Sequence, residues 1–132
     1  MTPEAIMEVL QAVPDSIFAC DIELSRVAGH LDELKDSLGI AELNAELAVE
    51  FPIKSNEDTR KSLRAEAVSK SPEVKHIKSM IQAEKVRQSE KEAERSKFTR
   101  TFSAALAMAE LTAARLNAVA AKTRKEIATH EH

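Results

Sequence analysis

Glycine occurs only twice in the 132 residues, at Gly29 and Gly39, and proline four times, at Pro3, Pro14, Pro52 and Pro72. A β or α/β fold needs frequent turns built largely from these two residue types, and the chain has too few of them. Trp and Tyr are absent and the aromatics are Phe18, Phe51, Phe98 and Phe102, so little large-area burial is available within one chain. Cys20 is the single cysteine. One thiol cannot make an intrachain disulfide, and a reducing compartment is expected. No basic-then-apolar leader opens the chain, and no apolar run approaches the roughly 20 residues that cross a bilayer. The Ala-rich stretch 104–121 is interrupted by Glu110 and Arg115, which argues against a membrane span. A cytoplasmic protein is expected.

Catalytic patterns are missing too. There is no Gly-rich phosphate loop. No Ser/His/Asp or Cys/His set can be assembled, because Cys20 sits at an apolar helix position that reads as core. Glu73 and His76 have the spacing of one helix of a di-iron site, but no second copy of the motif occurs in the chain. His130, Glu131 and His132 form a crude metal-like tail that reads better as a frayed terminus. The expectation is a non-enzyme without cofactor or metal.

What is abundant is charge, at 31% of residues, together with Ala, the composition of long helices and coiled coils. The net charge of −3 hides an asymmetry. Residues 1–52 carry eleven acids against Arg26 and Lys35, a net of −9, and residues 53–132 carry seventeen Lys and Arg against eleven acids, a net of +6. These spans, 1–52 and 53–132, are read as an acidic and a basic pair of helices forming one cooperative unit that can attract within or between chains.

The pattern predicts a first helix capped by Thr2, with Pro3 at its first position and an apolar stripe of Ile6, Val9, Leu10 and Val13, stopped by Pro14. A second helix follows with Ile17, Cys20, Leu24, Val27, Leu31, Leu34 and Leu38, a 3,4 seam held for three heptads. Gly39 is the expected bend, after which Ile40, Leu43, Leu47 and Phe51 restart the pattern on a shifted phase and Pro52 ends it. Asn56, followed by Glu57 and Asp58, starts a short helix. Ser71-Pro72-Glu73 marks a new start or a kink. From Glu73 onward there is neither Gly nor Pro. A continuous helix as far as Ile127 would be about 80 Å long. Residues 84–97 are polar nearly all round, supported by pairs such as Glu84/Arg87, Glu92/Arg95 and Glu94/Lys97. A second seam then runs through Phe98, Phe102, Ala105, Ala109, Thr112, Leu116 and Val119, with residues 99–103 the place where the helix could bend. Nine alanines within 104–121 suit a close helix–helix interface.

The fold expected is all-α: long antiparallel helices in a bundle or coiled coil, with the second and last helices sharing the core, completed by homo-oligomerisation. The seam residues Ile17, Leu24, Val27, Leu31, Leu34, Leu38, Phe98, Phe102, Ala105, Ala109, Leu116 and Val119 would form the core and the contacts between copies. A second candidate site is basic. Residues 54–100 hold thirteen Lys and Arg against eight acids, densest at Lys54, Arg60, Lys61 and Arg64, where nucleic-acid phosphates or another anion could be contacted. No aromatic is interleaved there for base stacking.

Residues 54–117, KSNEDTRKSLRAEAVSKSPEVKHIKSMIQAEKVRQSEKEAERSKFTRTFSAALAMAELTAARLN, resemble small all-helical early-region proteins of tailed bacteriophages. The features carrying the resemblance are Asn56 ahead of Arg60 at a helix start, the Ser71-Pro72-Glu73 cap before a long helix, and Phe98 followed by the Ala/Leu-rich stretch 104–116. The chain departs from that pattern in having few Leu within 84–97. The resemblance implies a phage accessory protein in the bacterial host cell, serving DNA recombination or replication or antagonising a host nuclease or defence protein, and brings no catalytic residues. Three functions are therefore expected to compete: a helical homo-oligomer acting by protein–protein interaction, a DNA-binding accessory protein, and an oligomeric sponge for an anionic nucleotide.

Overall fold

A computed structural model describes residues 1–130. The chain is all-helical, with α1 (Pro3–Leu47), α2 (Glu57–Lys70) and α3 (Pro72–His130) and no strand among the described residues. Of the terminal His/Glu/His group, Glu131 and His132 lie outside the described residues.

The cap signals work as their chemistry requires. The Thr2 hydroxyl accepts the amide of Ala5 at 3.1 Å, and the Asn56 side chain accepts that of Thr59 at 2.8 Å, satisfying donors that a helix start leaves without partners. Ser71 ends one helix and begins the next. Its amide closes on the Val68 carbonyl at 3.3 Å while its hydroxyl accepts the amide of Val74 at 3.3 Å. Its ψ of 120° is the extended value that a following proline enforces, and Pro72 then occupies the first position of α3, where a missing N–H costs nothing.

Four expectations about helix boundaries are corrected. Pro14 does not stop a helix, because α1 runs through it. Val13 before it and Cys20 after it are both buried on the face that Ile6 opens, so packing on either side offsets the roughly 3 kcal/mol of an interior proline. Gly39 is likewise inside α1, with no positive φ. The helix ends at Leu47, before Pro52. The large residues Ile40, Leu43 and Leu47 do not continue the core, since all three are more than half exposed and the small Ala41 is the buried one. Burial therefore falls every seventh residue along α1, at Ile6, Val13, Cys20, Val27, Leu34 and Ala41, with Leu10, Ile17, Leu24 and Leu38 half-buried between them.

The last helix does not break at 99–103. The hydroxyls of Thr99 and Thr101 donate back to the carbonyls of Arg95 and Lys97, each at 2.9 Å, so both find acceptors within the helix. The polar stretch also keeps register. Covered positions alternate by three and four from Val74, Ile77 and Ile81 through Glu84, Gln88, Lys91 and Arg95 to Phe98, Phe102, Ala105, Ala109 and Thr112. Where aliphatics are missing, long polar side chains occupy the same face and lay their stems on it. Arg95 does not turn to Glu92; its guanidinium pairs with Asp21 of α1.

By contacts the chain divides into two compact units. In the unit Ile22–Glu92, Val27, Leu31, Leu34 and Ala41 of α1 cluster with Val74, Ile77 and Ile81 of α3, and Leu38, Met80 and α2's Val68 pack on the cluster. Each fully buried aliphatic there contributes about 1.5–3 kcal/mol. The other unit combines Met1–Asp21 with Ala93–His132. Its buried residues are Ile6, Val13, Cys20 and Ala105. Its two helix segments run in opposite directions, since Asp21 meets Arg95 while Ile6 lies beside Ala109 and Thr112.

Candidate functional site

The basic group near α2 is built around Phe51. The loop after α1 brings Phe51 against the start of α2, where the Arg60 and Arg64 guanidinium carbons each sit 5.6 Å from the ring centroid. Arg60 Nε also donates to Ser55 Oγ at 3.1 Å, and Arg64 Nη2 pairs with Glu57 Oε1 at 2.9 Å. Both arginines are half-buried, whereas Lys54 and Lys61 are exposed. Two of the four candidate anion contacts are thus committed to an aromatic face and to local acceptors. Helical spacing put Arg60 and Arg64 on one face in sequence; nothing there could show Phe51 folding back onto them.

A second polar group lines a cleft of about 280 Å³ formed by Glu23, Arg26, Val27, His30, Glu84 and Arg87. His30 Nδ1 is 3.3 Å from Glu84 Oε2, Arg87 Nη1 is 3.9 Å from Glu84 Oε1, and Arg26 bonds Glu23 at 2.9 Å. Each carboxylate has a cation beside it, so the cleft has no net pull on a charged ligand. The pairing of His30 with Glu84, 54 positions apart, had no signal in the sequence. Among the described residues no three His, Cys, Asp or Glu side chains converge in a way that could hold a metal ion, and Glu73 and His76 are both exposed.

The remaining candidates are apolar. The first seam residues divide into buried Val27, Leu31 and Leu34 and half-buried Ile17, Leu24 and Leu38. In the second, Phe98, Phe102 and Ala109 are half-buried and Ala105 is fully covered, but Leu116 and Val119 are more than half exposed. Pro3, Ile6 and Met7 reach the level of Ala109, Thr112, Ala113 and Leu116, enclosing an apolar cleft of about 220 Å³. Past that level every position from 117 to 130 is exposed. Leu116, Val119 and Ile127 thus form an uncovered stripe. At the end of α1, Ile40, Leu43 and Leu47 form another, on the side opposite the buried Leu34, Leu38 and Ala41 by helical spacing.

Comparison with protein families, with curated proteins and with solved structures finds no match.

Proposed function

We propose that this protein is a non-enzymatic helical homo-oligomer, its helices paired as a bundle or coiled coil, that works by protein–protein interaction. The carrying observation is surface. Large aliphatic side chains are more than half exposed in two groups, at Leu116, Val119 and Ile127 and at Ile40, Leu43 and Leu47, and exposed apolar patches mark interaction surfaces. The resemblance to phage early-region proteins supports a role in recombination or replication, or against a host nuclease or defence protein. The anion-binding alternatives, DNA or a nucleotide, have less support because Arg60 and Arg64 are engaged with Phe51. Light scattering over a range of concentrations tests the reading: a mass of at least twice 14.5 kDa is expected, and a monomer at every concentration would overturn it.

A further inference from the structure

The two uncovered stripes match each other better than either matches itself. Leu116 to Ile127 spans eleven helical steps and Ile40 to Leu47 seven, about 17 Å and 11 Å at 1.5 Å per residue. Their charges are opposite. Arg115, Lys122, Arg124 and Lys125 flank the α3 stripe, against Glu126 alone; Asp32, Glu33, Asp36, Glu42 and Glu46 lead into and flank the α1 stripe, against Lys35 alone. Pairing the α3 stripe with its own copy would set four cations against four cations. Pairing the α1 stripe with itself would do the same with acids, and like charges across an interface cost affinity.

We infer that the α3 stripe is covered by a second copy of this chain, whose residues 36–47 lie along residues 116–127 in a head-to-tail contact. This rests on the self-association reading. The incoming helix lies along the exposed face of residues 116–127 and runs opposite to α3, as the first segment of α1 does. That direction brings the partner's Leu47 to the Leu116 end, where the apolar cleft of Pro3, Ile6, Met7 and Ala113 is open to receive it. Each copy donates one stripe and accepts the other. Such a heterologous contact is not self-limiting and builds a ring or a filament.

Charge reversal tests this on the intact chain. One variant carries Glu33→Lys and Asp36→Lys, the other Lys122→Glu and Arg124→Glu. All four positions are exposed, and unchanged far-UV melting shows that each variant folds; the milder pairs Glu33→Gln with Asp36→Gln and Lys122→Gln with Arg124→Gln serve if it does not. By light scattering at low salt, each reversal alone is expected to fall to 14.5 kDa, and an equimolar mixture to recover the wild-type mass. Wild-type assembly that persists in both variants would overturn the head-to-tail contact while leaving self-association standing. Loss without recovery on mixing would also overturn it, because the mixture restores opposite charges across the head-to-tail contact. A monomeric wild type would remove both readings together.

Discussion

Leu34 and Ile53 show how differently one aliphatic residue can count in this chain. Leu34 is 5% exposed in the cluster with Val74 and Ile77, whereas Ile53 is 99% exposed in the loop after α1. Leu34→Ala is expected to destabilise the fold by about 2–5 kcal/mol. Ile53→Ser should stay within about 0.5 kcal/mol of wild type. Urea denaturation of both variants reads the contrast, and a large effect at Ile53 would contradict the burial pattern. At the charged positions, the hydrogen bond from Lys70 and its charge hold the Glu66 carboxyl below the ordinary glutamate range. Since the folded value is the lower one, the pair stabilises at pH above that range, and its contribution is lost as pH falls through it. Carboxyl titration by NMR should find Glu66 acidic, and Lys70→Ala should raise it to the normal value with little change in melting temperature, because the pair is exposed. The bond to Asp21 holds Arg95 still more firmly protonated, which has no consequence at accessible pH.

Helices tolerate their breakers here because packing outweighs local propensity. Pro14 and Gly39 both lie inside α1. A methyl group added at Gly39 would meet nothing within 4 Å, so Gly39→Ala should stabilise by about 0.5–1 kcal/mol through helix propensity alone. Pro14→Ala should stabilise by up to about 3 kcal/mol by restoring the bond to Leu10. Denaturant midpoints check both, and a loss of stability in either would mean that the break itself is used. Legibility in the sequence followed the kind of signal at each element. The caps at Thr2, Asn56 and Ser71 were readable because each is a local hydrogen bond. The register through Ala41 and through Glu84, Gln88, Lys91 and Arg95 was not, because hydrophobic patterning weighs large apolar residues and passes over a small or polar one that fills the same position.

For the whole molecule the decisive quantity is uncovered surface. Residues 117–130 are exposed throughout, so they add nothing to the folded core of one copy. A chain ending at Leu116 is expected to melt as the wild-type subunit does at concentrations where both are monomeric, yet to lose self-association. Sedimentation velocity alongside thermal melting separates the two effects. If the shortened chain assembled normally, the stripe at Val119 and Ile127 would have no part in it.

Sequence alone determined that the chain is helical, where α2 begins, and which residues line most of the first seam, because composition, caps and heptad spacing act within a few residues of one another; at Ser71-Pro72-Glu73 it left a helix start or a kink open. It also marked Leu116 and Val119 as apolar seam positions in need of cover. Only the tertiary structure decided that α1 crosses Pro14, that Phe51 holds Arg60 and Arg64, that His30 meets Glu84, and that the cover along α3 stops at Thr112. Each of these depends on which distant segment arrives alongside.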